Sequence, residues 1–468
     1  MNESSNNQRF LWACVAWLTV GAGLLGSSRP VAGAETTARP NFVVFLADDL
    51  GWGDLGCYGH PQIKTPALDR FAAQGVRFTQ CYSACGVCSP SRSAILTGRT
   101  PYRNGVYRWI PENHPVHLRT SEITISKLLQ ERGYQTCHVG KWHLNGFFNS
   151  PRQPQPHDHG FDHWMATQNN AAPSHKNPTN FVRNGEPVGP LQGYSSHLVV
   201  EEAIRWLRQR DPQRPFFLNV WTHEPHLPIE SDPQYMALYD TPDVGLRQHH
   251  GNVTQLDAAF GKLMAALDEL QLADSTLVLF TADNGPEGSG LPDLKNPGSQ
   301  RDRTRGSTGG LRGRKRDDFE GGIRVPGLVR WPNQIPAGSE SHVPVIGTDI
   351  FVTFCELARV PVPQDRVIDG GSMVPAFTGK PVKRARPLYW RTHISSPASR
   401  VALRDGDWKI VANKQLDQFL LFNLADDPQE KRDLAQDEPT RFAQLKEALL
   451  ALNAEVLAEG PDWVEEDR

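Results

Sequence analysis

Five clusters of reactive side chains stand out along the chain. They are Asp48-Asp49, Cys88 with Pro90, Ser91 and Arg92, Lys141-Trp142-His143, His223-Glu224-Pro225-His226, and Asp283-Asn284. Asp48, Asp49, Asp283 and Asn284 offer hard oxygen donors, which suit Ca²⁺ or Mg²⁺ rather than zinc. Lysines and histidines beside such a cation suit a small anionic group. An Asp pair after a strand can simply start a turn. Its recurrence at Asp283-Asn284 makes one shared site the better reading.

Four of these clusters follow continuous apolar runs, at residues 41–47, 136–139, 215–220 and 276–281. Unbroken runs read as strands covered on both faces, as in a parallel sheet. Amphipathic stretches at 123–132, 197–210 and 253–270 lie between them, so strand and helix alternate. In such sheets ligands gather at the carboxyl ends of strands, where the clusters fall. Segments 150–193 and 285–310 read as long loops over the sheet. Residues 401–411 read as a hairpin around Asp405-Gly406, 419–424 as a strand and 438–457 as a helix. The expected architecture is α/β: a large, mostly parallel or mixed sheet sandwiched by helices over residues 35–380. A smaller α+β subdomain containing an antiparallel sheet is expected over 381–468.

With 468 residues and 38% hydrophobic side chains the chain can bury a large core. A formal net charge of -3 gives no whole-chain field for nucleic acid. Mean hydropathy of -0.48 excludes a polytopic membrane protein. Seven cysteines are too few for a disulfide scaffold. Arg9 precedes an apolar stretch over residues 10–25, and Ala32-Gly33-Ala34 has the form read by signal peptidase. Residues 1–34 therefore read as a signal peptide cleaved near Ala34. Export to the periplasm or the outside is expected, with no stable membrane insertion afterwards.

The run Gly86-Val87-Cys88-Ser89-Pro90-Ser91-Arg92 resembles the C-x-P-S-R signature of the sulfatases, within the alkaline phosphatase superfamily. Residues 133–143 resemble the second signature of that family. Asp48-Asp49 and Asp283-Asn284 match its metal positions in order and context, and the likeness runs from Asn41 to about Trp331, resuming near Trp408. The resemblance implies that a maturation enzyme oxidises Cys88 to formylglycine, whose hydrate attacks sulfur. It implies a divalent cation, Ca²⁺ or else Mg²⁺, held by Asp48, Asp49, Asp283, Asn284 and residue 88. Arg92 would orient the hydrate and the carboxylates, while Lys141 and Lys315 would bind the sulfate. His143 would be the base that triggers sulfate expulsion, and His226 the acid for the leaving alcohol. Lys315 stands five residues before Glu320, flanked by Arg314 and Arg316 where many members carry small residues. The implied substrate is a sulfated carbohydrate or an aryl sulfate. Two alternatives use the same residues: a phosphate or phosphonate ester hydrolase, and a silent sulfated-glycan-binding protein with an unconverted Cys88.

Blander readings apply elsewhere. A disulfide from Cys88 to Cys81 or Cys85 is the weaker reading beside Pro90 and Arg92. Cys57, Cys137 and Cys355 read as core and His223 as structural. His157-Asp158-His159 reads as a solvated loop, and His249-His250 as an exposed helical face. Basic residues outnumber acidic ones over 295–316. That stretch reads as a solvated basic loop or, if it lies over the site, as one whose charge, with Arg312 and Arg314, steers a sulfated polysaccharide.

Overall fold

The run Asn41–Ala47 forms strand β1, buried along its whole length. In the computed structural model, which describes residues 39–288, 301–461 and 463, β1 lies inside an eleven-stranded sheet. The other main strands are β2 (Val76–Tyr82), β3 (Gln135–Lys141), β4 (His163–Thr167), β5 (Phe216–Trp221), β6 (Thr276–Ala282) and β7 (Arg324–Arg330). Their order is β2-β7-β6-β1-β5-β3-β4. All are parallel except β7. Short pieces at Ser339–Ser341, Val182–Arg183 and Glu186–Pro187 extend the two edges. The expected signal peptide, its cleavage site and stretch 289–300 of the second long loop lie outside the described residues.

The runs are continuous because both faces of the sheet are covered. Phe42 stacks on Phe354 with ring centroids 4.2 Å apart, while Phe45 meets Phe260 edge-on at 5.2 Å. Three residues apart on one strand, the two rings point to opposite faces. Phe354 belongs to a helix that groups with α2 (Cys88–Thr97) and α3 (Ile125–Glu131), namely α6 (Asp349–Ala358). Phe260 lies on α5 (Val244–Glu269), which packs with α1 (Pro66–Ala73) and α4 (Ser195–Gln209). Strands β8 (Leu388–Arg391), β9 (Val401–Asp405), β10 (Trp408–Ala412) and β11 (Phe419–Asn423) form a separate antiparallel sheet beside α7 (Pro439–Glu459). Its expected hairpin is present, with Gly406-Asp407 as the two-residue turn. Among the described residues, no helix is long and apolar enough to cross a membrane.

Several expectations change. Segment 150–193 is not wholly loop, because the short run around Trp164 supplies β4. Helix α5 begins at Val244, capped by Asp243. His249 and His250 are buried on it rather than exposed; polar residues on its inner face hide its first turns from a periodicity search. His159 is also buried, while His157 and Asp158 are exposed. Cys57 is half-buried rather than core, and all six described cysteines are free thiols.

The two sheets meet through buried charge. Lys409 Nζ on β10 lies 2.9 Å from both Glu320 Oε1 and Glu430 Oε1, with all three side chains fully buried. Glu430 Oε2 accepts the Glu320 N–H at 2.7 Å, and its carbonyl accepts Arg312 Nη1 at 2.9 Å. Lys409→Met leaves two carboxylates buried without their shared cation. It should lower unfolding free energy by about 3–5 kcal/mol, read by urea denaturation. A loss under about 1 kcal/mol would show the triad to be energetically idle.

Candidate active site

Four of the five clusters arrive from a strand end. β1 and β6 pair in register from Asn41↔Thr276 to Ala47↔Ala282, so Asp48-Asp49 and Asp283-Asn284 emerge side by side. The Asp49 N–H donates to Asp283 Oδ1 at 3.2 Å, and Asn284 Nδ2 donates to Asp49 Oδ1 at 2.6 Å. β3 ends on Lys141. Just before it, Gly140 holds φ 105°, and a Cβ there would lie 1.9 Å from the Trp221 carbonyl oxygen. Only glycine fits that approach. Asp49 and His143 hold φ 64° and 56°. Such left-handed backbone costs a non-glycine residue about 1–2 kcal/mol and gathers at functional sites.

Helix α2 starts at Cys88 and is buried along all ten residues. Its N-terminal end favours negative charge at residue 88. Arg92 sits one turn on, along the same face. Its Nε and Nη2 donate to Asp283 Oδ2 at 2.9 and 2.7 Å, and its Nη1 to the Lys141 carbonyl at 3.0 Å. Lys141 Nζ donates to Asp48 Oδ2 at 2.6 Å, and Lys315 Nζ to Asp49 Oδ2 at 2.8 Å. The structure thus brings together every residue that the sequence assigned to the site.

Two carbonyls settle which ring nitrogens carry protons. A carbonyl only accepts, so His143 Nε2, 3.0 Å from the Ile110 oxygen, must donate. When His143 is neutral, its lone pair sits on Nδ1, 3.3 Å from Cys88 Sγ. Likewise His226 Nδ1 donates to the Leu227 carbonyl, leaving the Nε2 lone pair 3.7 Å from Asp49 Oδ2. Burial, with Lys141 and Arg92, pushes His143 well below the usual imidazole range. Burial, with Lys315, lowers His226 to about 4. Both rings are therefore neutral bases at pH 7. Burial also raises the Cys88 thiol, against the pull of Lys141 and Lys315, so the thiol stays protonated. Burial opposes ionisation of Asp48, but Lys141, His226, Arg92 and Lys315 outweigh it and hold that carboxyl well below its ordinary value.

The donor set fits a hard divalent cation. Asp48 Oδ1 and Asn284 Oδ1 are buried without a hydrogen-bond partner among the described residues. One donor atom each from Asp48, Asp49 and His226 lie within 4.8 Å of one another. Orphaned oxygens beside clustered carboxylates are the kind a hard cation satisfies. His226, expected only as an acid, thus also stands within reach of the ligand cluster.

Other residues depart from expectation. Arg312 Nη1 bonds the Glu430 carbonyl, and its guanidinium lies 3.9 Å from the Phe319 ring centroid. Arg314 donates to the carbonyls of Glu287 and Gly306 at 3.1 and 2.8 Å. Both brace the loop instead of presenting free charge to a polymer. Glu287 was missed: it pairs with Arg316 and lies 3.7 Å from Lys315 Nζ. Its position three residues after Asn284 was the available signal. His223 bonds Thr167 Oγ1 at 2.8 Å, behind the site. A cleft of about 600 Å³ opens beside Lys315, lined also by Arg316 and by Ser395, Ser396 and Pro397.

The buried Cys88, the adjacent His143 and the clustered carboxylates thus lie together on an alkaline phosphatase-like fold. Residues 40–360 match the sulfatase family, and 314–455 match the family described as N-sulphoglucosamine sulphohydrolase, C-terminal. The chain belongs to the sulfatase family and is a sulfuric ester hydrolase. It is 35% identical over 398 residues to N-acetylgalactosamine-6-sulfatase of Canis lupus familiaris, covering 79% of this chain and 70% of that protein. The crystal structure of Ps i-CgsB in complex with k-i-k-neocarrahexaose matches with TM-score 0.79 and 28% identity, over 91% of this chain and 94% of the other. The phosphonate monoester hydrolase of Agrobacterium radiobacter shares the fold alone, at TM-score 0.62 and 21% identity over 90% of this chain and 96% of that one.

Proposed function

We propose that this protein is an exported, formylglycine-dependent sulfatase that removes sulfate from a sulfated saccharide with the help of Ca²⁺, or else Mg²⁺. The observation that carries the reading is Cys88 at the start of α2, 3.3 Å from the basic nitrogen of His143 and under the influence of Lys141 and Lys315. A thiol held protonated there is a poor nucleophile. That supports conversion of residue 88 to formylglycine by a maturation enzyme. The relatives named for N-acetylgalactosamine 6-sulfate and for a neocarrahexaose complex support a sulfated sugar.

A sulfate ester repels nucleophiles through its anionic oxygens, so the pocket must supply positive charge and alignment. Asp48, Asp49, Asp283 and Asn284 would hold the cation, which would supply Lewis-acid polarisation in the pocket. With those carboxylates so engaged, Lys141 and Lys315 can turn their ammonium groups to the sulfate. Arg92 keeps Asp283 and the Lys141 backbone in place. His143 Nδ1 takes the proton released at residue 88. An incoming anionic ester favours protonation of His226 Nε2, which then serves the leaving oxygen.

His226→Gln should slow release from an alkyl sulfate by about 100-fold, and from nitrophenyl sulfate far less, because that leaving group needs no proton. Equal losses on both would remove the acid role. The reading as a whole is tested by sulfate release from N-acetylgalactosamine 6-sulfate and nitrophenyl sulfate against phosphate release from nitrophenyl phosphate. Preference for the phosphate ester would overturn it.

A further inference from the structure

Trp109 packs beside Cys88, with Arg108 next to it in the chain, and the mechanism uses neither. Half-buried Trp109 packs against the cluster of Cys85, Val87 and Cys88. The next residue, Ile110, is fixed on two sides: its N–H donates to Ser89 Oγ at 3.2 Å, and its carbonyl holds His143. The indole is thus anchored beside the nucleophile by the same segment that sets the base. The Arg108 guanidinium lies 6.0 Å from the Trp109 ring centroid. Its Nε makes one long bond, 3.4 Å to the Trp109 carbonyl, and neither Nη has a partner among the described residues. On the other side of this segment Tyr107 meets His393 edge-on at 5.1 Å. His393 directly precedes the stretch Ile394–Pro397 that walls the cleft beside Lys315 and Arg316.

A half-exposed indole beside a reaction centre presents a flat apolar face, and a neighbouring arginine with unused donors seeks an anion. We propose that Trp109 and Arg108 form the sugar subsite of this enzyme. The indole stacks on the pyranose that carries the scissile sulfate, and Arg108 pairs with a further acidic group on the same saccharide. The proposal rests on the sulfatase reading and deepens it to a substrate class, a saccharide bearing a second negative charge next to the sulfated ring.

The test compares nitrophenyl sulfate, N-acetylgalactosamine 6-sulfate, and the same sugar joined to a hexuronic acid. Trp109→Ala should lower kcat/KM on both sugars by about tenfold more than on nitrophenyl sulfate, mostly through KM, and Trp109→Phe should recover most of the difference. Arg108→Gln should lower it by about tenfold on the uronic-acid disaccharide relative to the monosaccharide. Equal losses on all three substrates, or none, would overturn the proposal. Calorimetric binding of the disaccharide to Cys88→Ala protein separates the two readings. If that protein binds the disaccharide and Trp109→Ala abolishes the binding, the subsite stands even where the parent turns nothing over. Failure of the Cys88→Ala protein to bind sinks the subsite, and active parent enzyme would still be a sulfatase.

Discussion

Cys88→Ala should abolish sulfate release, by about 10⁴-fold or more, while leaving the fold intact. The side chain is small and its loss opens only a modest void at the start of α2. Arg92 keeps its bonds to Asp283, because those do not involve residue 88. Cys88→Ser separates the roles: if the active species is an aldehyde made from cysteine, a serine that is not converted should be nearly as inactive as alanine. Mass analysis and hydrazide labelling of active parent protein should find that aldehyde at residue 88. Fully active protein carrying only a free thiol there would end the formylglycine reading. Near-normal circular dichroism and unfolding midpoint for Cys88→Ala would show that the loss is chemical.

Removal of divalent cations should cost about 100-fold or more in kcat, with Ca²⁺ restoring activity and Mg²⁺ the second choice. Asp48→Asn should cost about 1000-fold even in excess Ca²⁺, since it removes the charge that faces Lys141 and Arg92. A readout independent of turnover is thermal stability. A ligand that binds only the folded state raises the unfolding temperature, so Ca²⁺ should stabilise the parent and do so far less in Asp48→Asn. An Asp48→Asn protein with ordinary activity would remove that carboxylate from the site.

The four runs were legible because β1, β3, β5 and β6 are covered on both faces, so nearly all their residues are buried and mostly apolar. β2 escaped notice because Arg77, Thr79 and Gln80 are only part-buried among its apolar residues, and β7 because Pro326-Gly327 interrupts its run. The pocket was legible where its chemistry sits in side chains that form short motifs. It was not where the work is done by a backbone carbonyl, as at Ile110, or by a side chain that loop conformation alone brings near, as with Glu287 and Trp109. The bracing roles of Arg312 and Arg314 were hidden for the same reason: charge is written in the sequence, but the acceptor that consumes it is not.

The Lys409 triad sets a limit on modularity. Glu320 opens a helical turn five residues after Lys315, and beside Arg324 it pairs with an ammonium from the C-terminal sheet. A chimera that grafts this terminal piece from a distant relative inherits a working pocket only if lysine and glutamate partners arrive in matching places. Drift on either side of that seam is therefore felt at the reaction centre, and exchange of terminal pieces between lineages should succeed mainly when the seam travels whole.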